Sequence, residues 1–299
     1  MAVAAAIAGV LAVPAFVFAW GEAGHRMIGE AAALELPSAM PAFFRNASKQ
    51  LGYLNPEPDR WRNRTESSID AALDRGTGPD HFIDMEMVPP PVLAAALAAR
   101  DRYGYLDTIA AAHANGVVMG LLPFRMLELS QQLREDFREW RVAGDSIKPW
   151  VEARIIDDAG ILGHYVADGS NPAHTSIQFN GWTGTNPNGY ATDKQFHARF
   201  ESGFVREHVR LADVLARLDT SARVLPDFRT AIVAYLRETN TFVEPLYKID
   251  KAHPFDTNTT AVENKAFAVE RLAAGARMLR DVWWTAWITS APTRGAPPR

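Results

Sequence analysis

The sequence contains no cysteine. A disulfide framework is therefore excluded, as is a thiolate metal site, so any metal must be held by histidine, aspartate, glutamate and backbone groups. A dominant charge is lacking too: 31 Lys and Arg stand against 35 Asp and Glu, a net charge of −4, with no long run of either sign. That balance does not describe a polyanion-coating protein, which displaces counterions with clustered Lys and Arg, but it leaves room for a small phosphate-binding site. Alternating β-branched runs, Gly/Ser linkers and internal repeats are also missing, which points away from sheets and from a multi-module chain.

Apolar residues make up 47% of the 299 positions and charged ones 22%, the profile of a folded rather than a disordered chain. Length alone allows one large domain or two ordinary ones. The first nineteen residues, MAVAAAIAGVLAVPAFVFA, carry no charged side chain. With small residues Val17 and Ala19 before the cut, they read as a signal peptide removed after Ala19, although a Lys or Arg near the start is missing. The alternative is an uncleaved anchor of borderline length. The expected arrangement is a leader over 1–19 and a single domain over 20–299, secreted or periplasmic, with Trp20 as its first residue.

Beyond the leader the apolar spacing is helical. The stretch 22–36 puts His25, Ile28, Ala32 and Leu36 near one face, and Pro37 ends it. A second short helix, AMPAFFRNASKQLGYL, leads into the Pro- and Asn-rich NPEPDRW. Residues 122–142 alternate apolar groups with charge. Residues 146–168 form the best candidate for a central helix, since Val151, Ile155, Ala159, Leu162 and Val166 recur at three- and four-residue steps. Further long helices are expected over about 226–249 and 260–289, with long polar loops over 52–80 and 169–192. The expected fold class is all-α, one multi-helix domain.

Of the eight histidines, any one alone reads as a satisfied or exposed side chain; pairing changes that. His164 and Asp168 stand at i and i+4, so a helix presents them on one face, within reach of one metal ion. His174, beyond Asn171-Pro172, can return beside them. His197 and Glu201 in FHARFE repeat the i, i+4 spacing. Two such pairs plus a flanking His are what a polynuclear zinc site without cysteine needs; a single pair would read as a helix-surface contact. His81 lies in GPDHFIDME and Asp59 in PEPDRWR, where Asp59 alone would be a turn residue. Arg62 is either a surface charge or a bidentate phosphate clamp. The amino and carbonyl groups of Trp20 could chelate a metal with His25, but only if the leader is removed.

Taken in order, WGEAGH, PDRWR, DHFID, GHYVADGSNPAH and HARFE resemble the trinuclear zinc phosphodiesterases, the superfamily of bacterial zinc-dependent phospholipase C and of the single-strand-specific nucleases. The motifs run from residue 20 to 201, and the helical remainder fits that family's all-α fold. The resemblance implies three zinc ions. Asp59, His81, His164 and Asp168 would hold the first; His174, His197 and Glu201 the second; the Trp20 amino and carbonyl groups, His25 and the shared Asp168 the third. It further implies metal-assisted hydrolysis of a phosphodiester, with Asp59 as base or orienter of the attacking water and Arg62 against the phosphate. His113, His208 and His253 match nothing in the pattern.

The nuclease branch usually carries Gly-Gly-Asn after the central motif and a final His-x-x-x-Asp. Here NGWTGTNPNGY and HARFE, ending in Glu201, stand instead, as in the phospholipase branch, while GSNPAH departs from both in lacking a Gln before the proline. The expected substrate is therefore a phospholipid or other phosphodiester, with single-stranded nucleic acid as the alternative and no stable protein partner. Trp61, Phe179, Trp182 and Tyr190 could line an acyl pocket or stack on bases. The reading from a different class is an exported zinc-binding protein without activity.

Overall fold

The computed structural model describes residues 20–219 and 221–292; the proposed leader lies outside the described residues. Helices follow one another from Gly21 to Thr289, and no β-strand occurs among the described residues. The all-α expectation holds, in a single compact domain.

Four helices make the frame. Leu122–Val142 and Lys148–Asp168 form an antiparallel hairpin, and Val262–Thr289 packs across both and against the first helix, Gly21–Leu34. The hairpin starts where proline permits, with Pro123 and Pro149 in the first turn of each helix, where a missing N–H costs nothing. Val151, Ile155, Ala159, Leu162 and Val166 are all buried, so the stripe read from the sequence is the core face. In the core Phe44 packs edge to face with Trp283 and tilted against Phe137, with ring centroids 5.3 and 5.6 Å apart. Burying each such ring is worth about 1.5–3 kcal/mol. The indole N–H of Trp283 donates to the Ala159 carbonyl at 3.2 Å, so its polar end is satisfied.

The first helix ends at Leu34, two residues earlier than expected. Glycines let a short helix, Ser48–Leu54, lie close against it: a β-carbon at Gly29 would meet the Leu51 carbonyl at 3.0 Å, and one at Gly52 the Arg26 carbonyl at 3.1 Å. This close crossing delivers Asn55 beside His25.

Two further expectations about elements are corrected. The stretch 52–80 is no loop; it holds short helices Glu57–Trp61, Arg64–Ile69 and Ala72–Thr77 and a 3-10 turn Gly78–His81. The last two α-helices bury no side chain, so no apolar periodicity announces them. The stretch 226–249 is two helices, Phe228–Asn240 and Val243–Ala252; the first is capped by Asp227, whose side chain accepts from the Thr230 N–H at 2.7 Å. The segment after Asp168 is largely irregular, as expected. No described helix is long and apolar enough to cross a membrane.

Candidate metal centre

The Lys148–Asp168 helix carries His164 and Asp168 on its last turn, and the rest of the centre is assembled around that end. Asn171 caps the following 3-10 turn Pro172–His174, its Oδ1 accepting from the Ala173 N–H at 3.1 Å, and the turn swings His174 back. The returning segment is tied to the His81 segment: His174 Nδ1 donates to the His81 carbonyl at 2.7 Å and the Ile83 N–H to the His174 carbonyl at 2.9 Å. His197 and Glu201 straddle the junction of an α-turn, Phe196–Ala198, with a π-helical segment, Arg199–Phe204. Such wide turns recur at functional sites.

Eight of the expected ligands come together, and all eight are buried, none more than 6% exposed. Around the first position, His81 Nδ1 lies 3.1 Å and His164 Nε2 3.4 Å from Asp168 Oδ2. The two nitrogens are 2.9 Å apart, and Asp59 Oδ1 is 3.9 and 3.8 Å from them. Around the second, His174 Nε2, His197 Nε2 and Glu201 Oε2 are separated by 3.1, 2.5 and 3.8 Å. His25 Nε2 stands 3.4 Å from the other oxygen, Asp168 Oδ1, so Asp168 faces two groups of ligands at once. Ligand atoms bonded at about 2.0–2.2 Å in a tetrahedron lie roughly 3.3–3.6 Å apart. The observed separations, 2.5 to 3.9 Å, bracket that value.

The chemistry of the donors points the same way. His25, His164 and His174 each turn Nδ1 toward an oxygen acceptor, which leaves Nε2 as the bare lone pair facing the cluster. Burial depresses His81, pushes His164 well below the usual imidazole range and takes His197 down to about 3. Burial also raises Glu201 to about 7 and Asp59 well above the carboxylate range, the latter helped by the charge of Asp168. Burial alone would raise Asp168 too, but the His164 and His174 imidazoles and close contacts from His25 and His81 outweigh it and hold Asp168 well below its usual value. Burial that disfavours charge on His81, His164 and His197, beside an ionised Asp168, favours the protonation states a cation requires, and a divalent ion would offset the cost of ionising Asp59 and Glu201. His25 Nε2, Asp168 Oδ1 and Glu201 Oε1 are buried without a formed hydrogen bond. Buried polar atoms are rarely left so. The residues present therefore fit a metal ion: the groups His25/Asp59/His164, His81/His164/Asp168 and His174/His197/Glu201 each suit one.

Trp20 is fully buried beside this centre. Its indole N–H reaches the Ala167 carbonyl at 2.9 Å and Ser170 Oγ at 2.8 Å, which pins the start of the first helix to the end of the helix bearing Asp168. Its carbonyl accepts the Gly24 N–H at 3.1 Å. Arg62 is half-buried, with Nε donating to Asp74 Oδ1 at 3.0 Å. It lines, with Asp59, a cleft of about 1270 Å³ whose wall also carries Glu22, Arg26, Arg60, Arg64 and Arg206. Five arginines line this cleft; Arg26 and Arg60 pair with Glu22, Arg60 also with Glu57, and Arg62 with Asp74.

Two residues of the centre escape the sequence reading. Asn55 belongs to NPEPDRW, read only as a Pro- and Asn-rich stretch, yet its Oδ1 and carbonyl meet His25 and His164. Asn171, read as a helix terminator, also donates from Nδ2 to Glu201 Oε2 at 3.1 Å. Both signals lie in contacts across the chain, which spacing does not encode. His208 stands apart, with Nε2 on the Asp256 carbonyl. Comparison with family models, with curated proteins and with solved structures gave no match. What the fold and the site define is an all-α domain with buried groups of histidine and carboxylate side chains that could bind metal ions.

Proposed function

We propose that this chain is an exported zinc-dependent phosphodiesterase of the trinuclear type, made with a leader over residues 1–19 and working from Trp20 onward. The observation that carries the reading is the gathering of eight buried histidine and carboxylate side chains into groups that could each hold a metal ion, with Asp168 facing His25 through one oxygen and His81 and His164 through the other. In this reading Asp59, His81, His164 and Asp168 hold the first zinc, His174, His197 and Glu201 the second, and His25, Asp168 and the Trp20 amino and carbonyl groups the third. Bound zinc would supply Lewis-acid stabilisation of phosphate charge and a water that is deprotonated near neutral pH. Asp59, at the boundary of cluster and cleft, orients the attacking water and receives its proton. Arg62 leaves or shares Asp74 to hold a phosphate oxygen. The neighbouring arginines draw an anionic substrate into the cleft.

Phospholipase C-like hydrolysis is the first reading of the substrate, because Glu201 ends the motif as in that branch. A second reading, hydrolysis of single-stranded nucleic acid, draws on the cleft itself: Arg26, Arg60, Arg62, Arg64 and Arg206 line it, and guanidinium groups that exchange carboxylates such as Glu22, Glu57 and Asp74 for phosphates suit a polyanionic strand. The test incubates purified protein with bis-p-nitrophenyl phosphate, phosphatidylcholine, and single-stranded DNA and RNA, each with and without a chelator. Chelator-sensitive hydrolysis is expected. Zinc binding without hydrolysis of any substrate would leave a binding protein instead.

A further inference from the structure

We infer that Asn55 is a positioning residue that holds two metal-facing imidazoles, His25 through its side chain and His164 through its main chain, and thereby sets the affinity of the His25 metal position separately from the others. The inference rests on the metal-centre part of the proposed function and on nothing about the substrate.

Asn55 follows the Ser48–Leu54 helix and is fully buried. Its Oδ1 accepts from His25 Nδ1 at 2.9 Å, and its carbonyl oxygen accepts from His164 Nδ1 at 2.9 Å. The far nitrogens of both rings turn to opposite oxygens of Asp168, each at 3.4 Å. The rings lie nearly parallel, centroids 4.1 Å apart at 13°, so one residue sets the rotation of a stacked pair.

The space for the carboxamide is made by two glycines. A β-carbon at Gly29 would lie 3.0 Å from Asn55 Nδ2, and one at Gly163 closer still, inside van der Waals contact. Gly29 is one turn beyond His25 and Gly163 adjoins His164, so each imidazole-bearing helix is cut back beside Asn55. Nδ2 itself has no partner. A buried amide N–H without an acceptor is costly, and an aliphatic side chain would fill the slot without that cost. What an aliphatic cannot supply is the oxygen that fixes the Nδ1–H tautomer of His25 and frees its Nε2 for a metal.

Loss of such a partner typically lowers metal affinity about 10- to 100-fold. Asn55→Ala removes the oxygen facing His25 but keeps the carbonyl facing His164, so the weakening should be confined to one metal position. Asn55→Asp keeps an acceptor of the same shape.

The test titrates the purified chain and its Asn55→Ala, Asn55→Asp and His25→Ala variants with zinc, and reads the ring tautomers by nitrogen-15 histidine NMR. One binding step should weaken by about 10- to 100-fold in Asn55→Ala, the same step should vanish in His25→Ala, and Asn55→Asp should stay close to wild type. His25 and His164 should both carry the proton on Nδ1. Equal weakening of every step, no weakening, or an Nε2–H tautomer at His25 would overturn the inference. Should Asn55→Ala fail to fold, the wild-type tautomers decide. A wild-type chain that binds no zinc would refute the proposed function, while the tautomer spectrum would still show whether Asn55 holds the two rings.

Discussion

Replacing Asp168 by Asn should cost the metal-free protein little and the zinc-loaded protein much more. The Asp168 carboxylate meets four imidazoles, with contacts of 3.1 Å to His81, 3.4 Å to His25 and His164, and 4.0 Å to His174. Were these rings charged, the change would break buried ion pairs at about 3–5 kcal/mol. Burial disfavours charge on His81 and His164, so the loss is closer to that of a hydrogen bond to a charged acceptor, about 1.5–3 kcal/mol. Asn retains one accepting oxygen, which keeps the cost at the lower end. With zinc the ledger changes, because Asp168 faces two of the three proposed positions. Each position lost forgoes about 2.7 kcal/mol of stabilisation at free zinc a hundredfold above its dissociation constant. Thermal unfolding of wild type and Asp168→Asn, with and without zinc, measures both terms. The gap between them should widen by several kcal/mol on zinc addition, and hydrolysis should disappear. A gap that zinc leaves unchanged, or a well-metallated variant that still hydrolyses phosphodiesters, would refute the reasoning.

Glu201→Gln should stabilise the metal-free protein above neutral pH while removing the second zinc position. The Glu201 carboxyl is raised from its ordinary 4.5 to about 7 by burial, so its contribution is present below about 4.5 and lost as pH rises through about 7. The variant should gain about 2–3 kcal/mol at pH 8 in chelator, read by denaturant unfolding; a loss there would contradict the assignment. Histidine acts in the opposite sense, since His197, lowered to about 3, favours the folded state increasingly as pH climbs from about 3 to 6.5. Arg62→Ala should lower kcat/KM about 10²- to 10³-fold, as loss of one donor to a reacting phosphate does, with less than about 1 kcal/mol of stability change because its pair with Asp74 is partly exposed. Unchanged kinetics would remove Arg62 from the site. Arg206→Ala should leave bis-p-nitrophenyl phosphate hydrolysis unaffected and reduce the salt dependence of single-strand binding by about one unit of slope; no change with any strand would speak for the lipid reading.

The sequence carries the helical frame well because the core stripe of Lys148–Asp168 is a local, periodic signal. It also marks four side chains that the fold gathers, His164, Asp168, His197 and Glu201, since i, i+4 spacing is already a distance once a helix is granted, while His25, Asp59 and His81 join the set only through the family resemblance. It carries less where structure depends on contacts far apart in sequence. The helices Arg64–Ile69 and Ala72–Thr77 bury nothing, so they leave no apolar period to read. The π-helical segment Arg199–Phe204, which carries Glu201, is a widened turn that no pattern in the sequence predicts, although the i, i+4 spacing does foresee the contact of Glu201 with His197 at 2.5 Å. Asn55 and Asn171 are turn-like in sequence, and only packing against His25, His164 and Glu201 gives them a role at the centre.

The central claim, that the buried histidines and carboxylates hold metal ions, is tested most directly by locating zinc in the purified protein: crystals grown with zinc, with diffraction collected on either side of the zinc absorption edge. The account predicts three anomalous peaks, two of them flanking Asp168 and one among His174, His197 and Glu201. A structure solved in excess zinc with no peak within bonding distance of these side chains would contradict it.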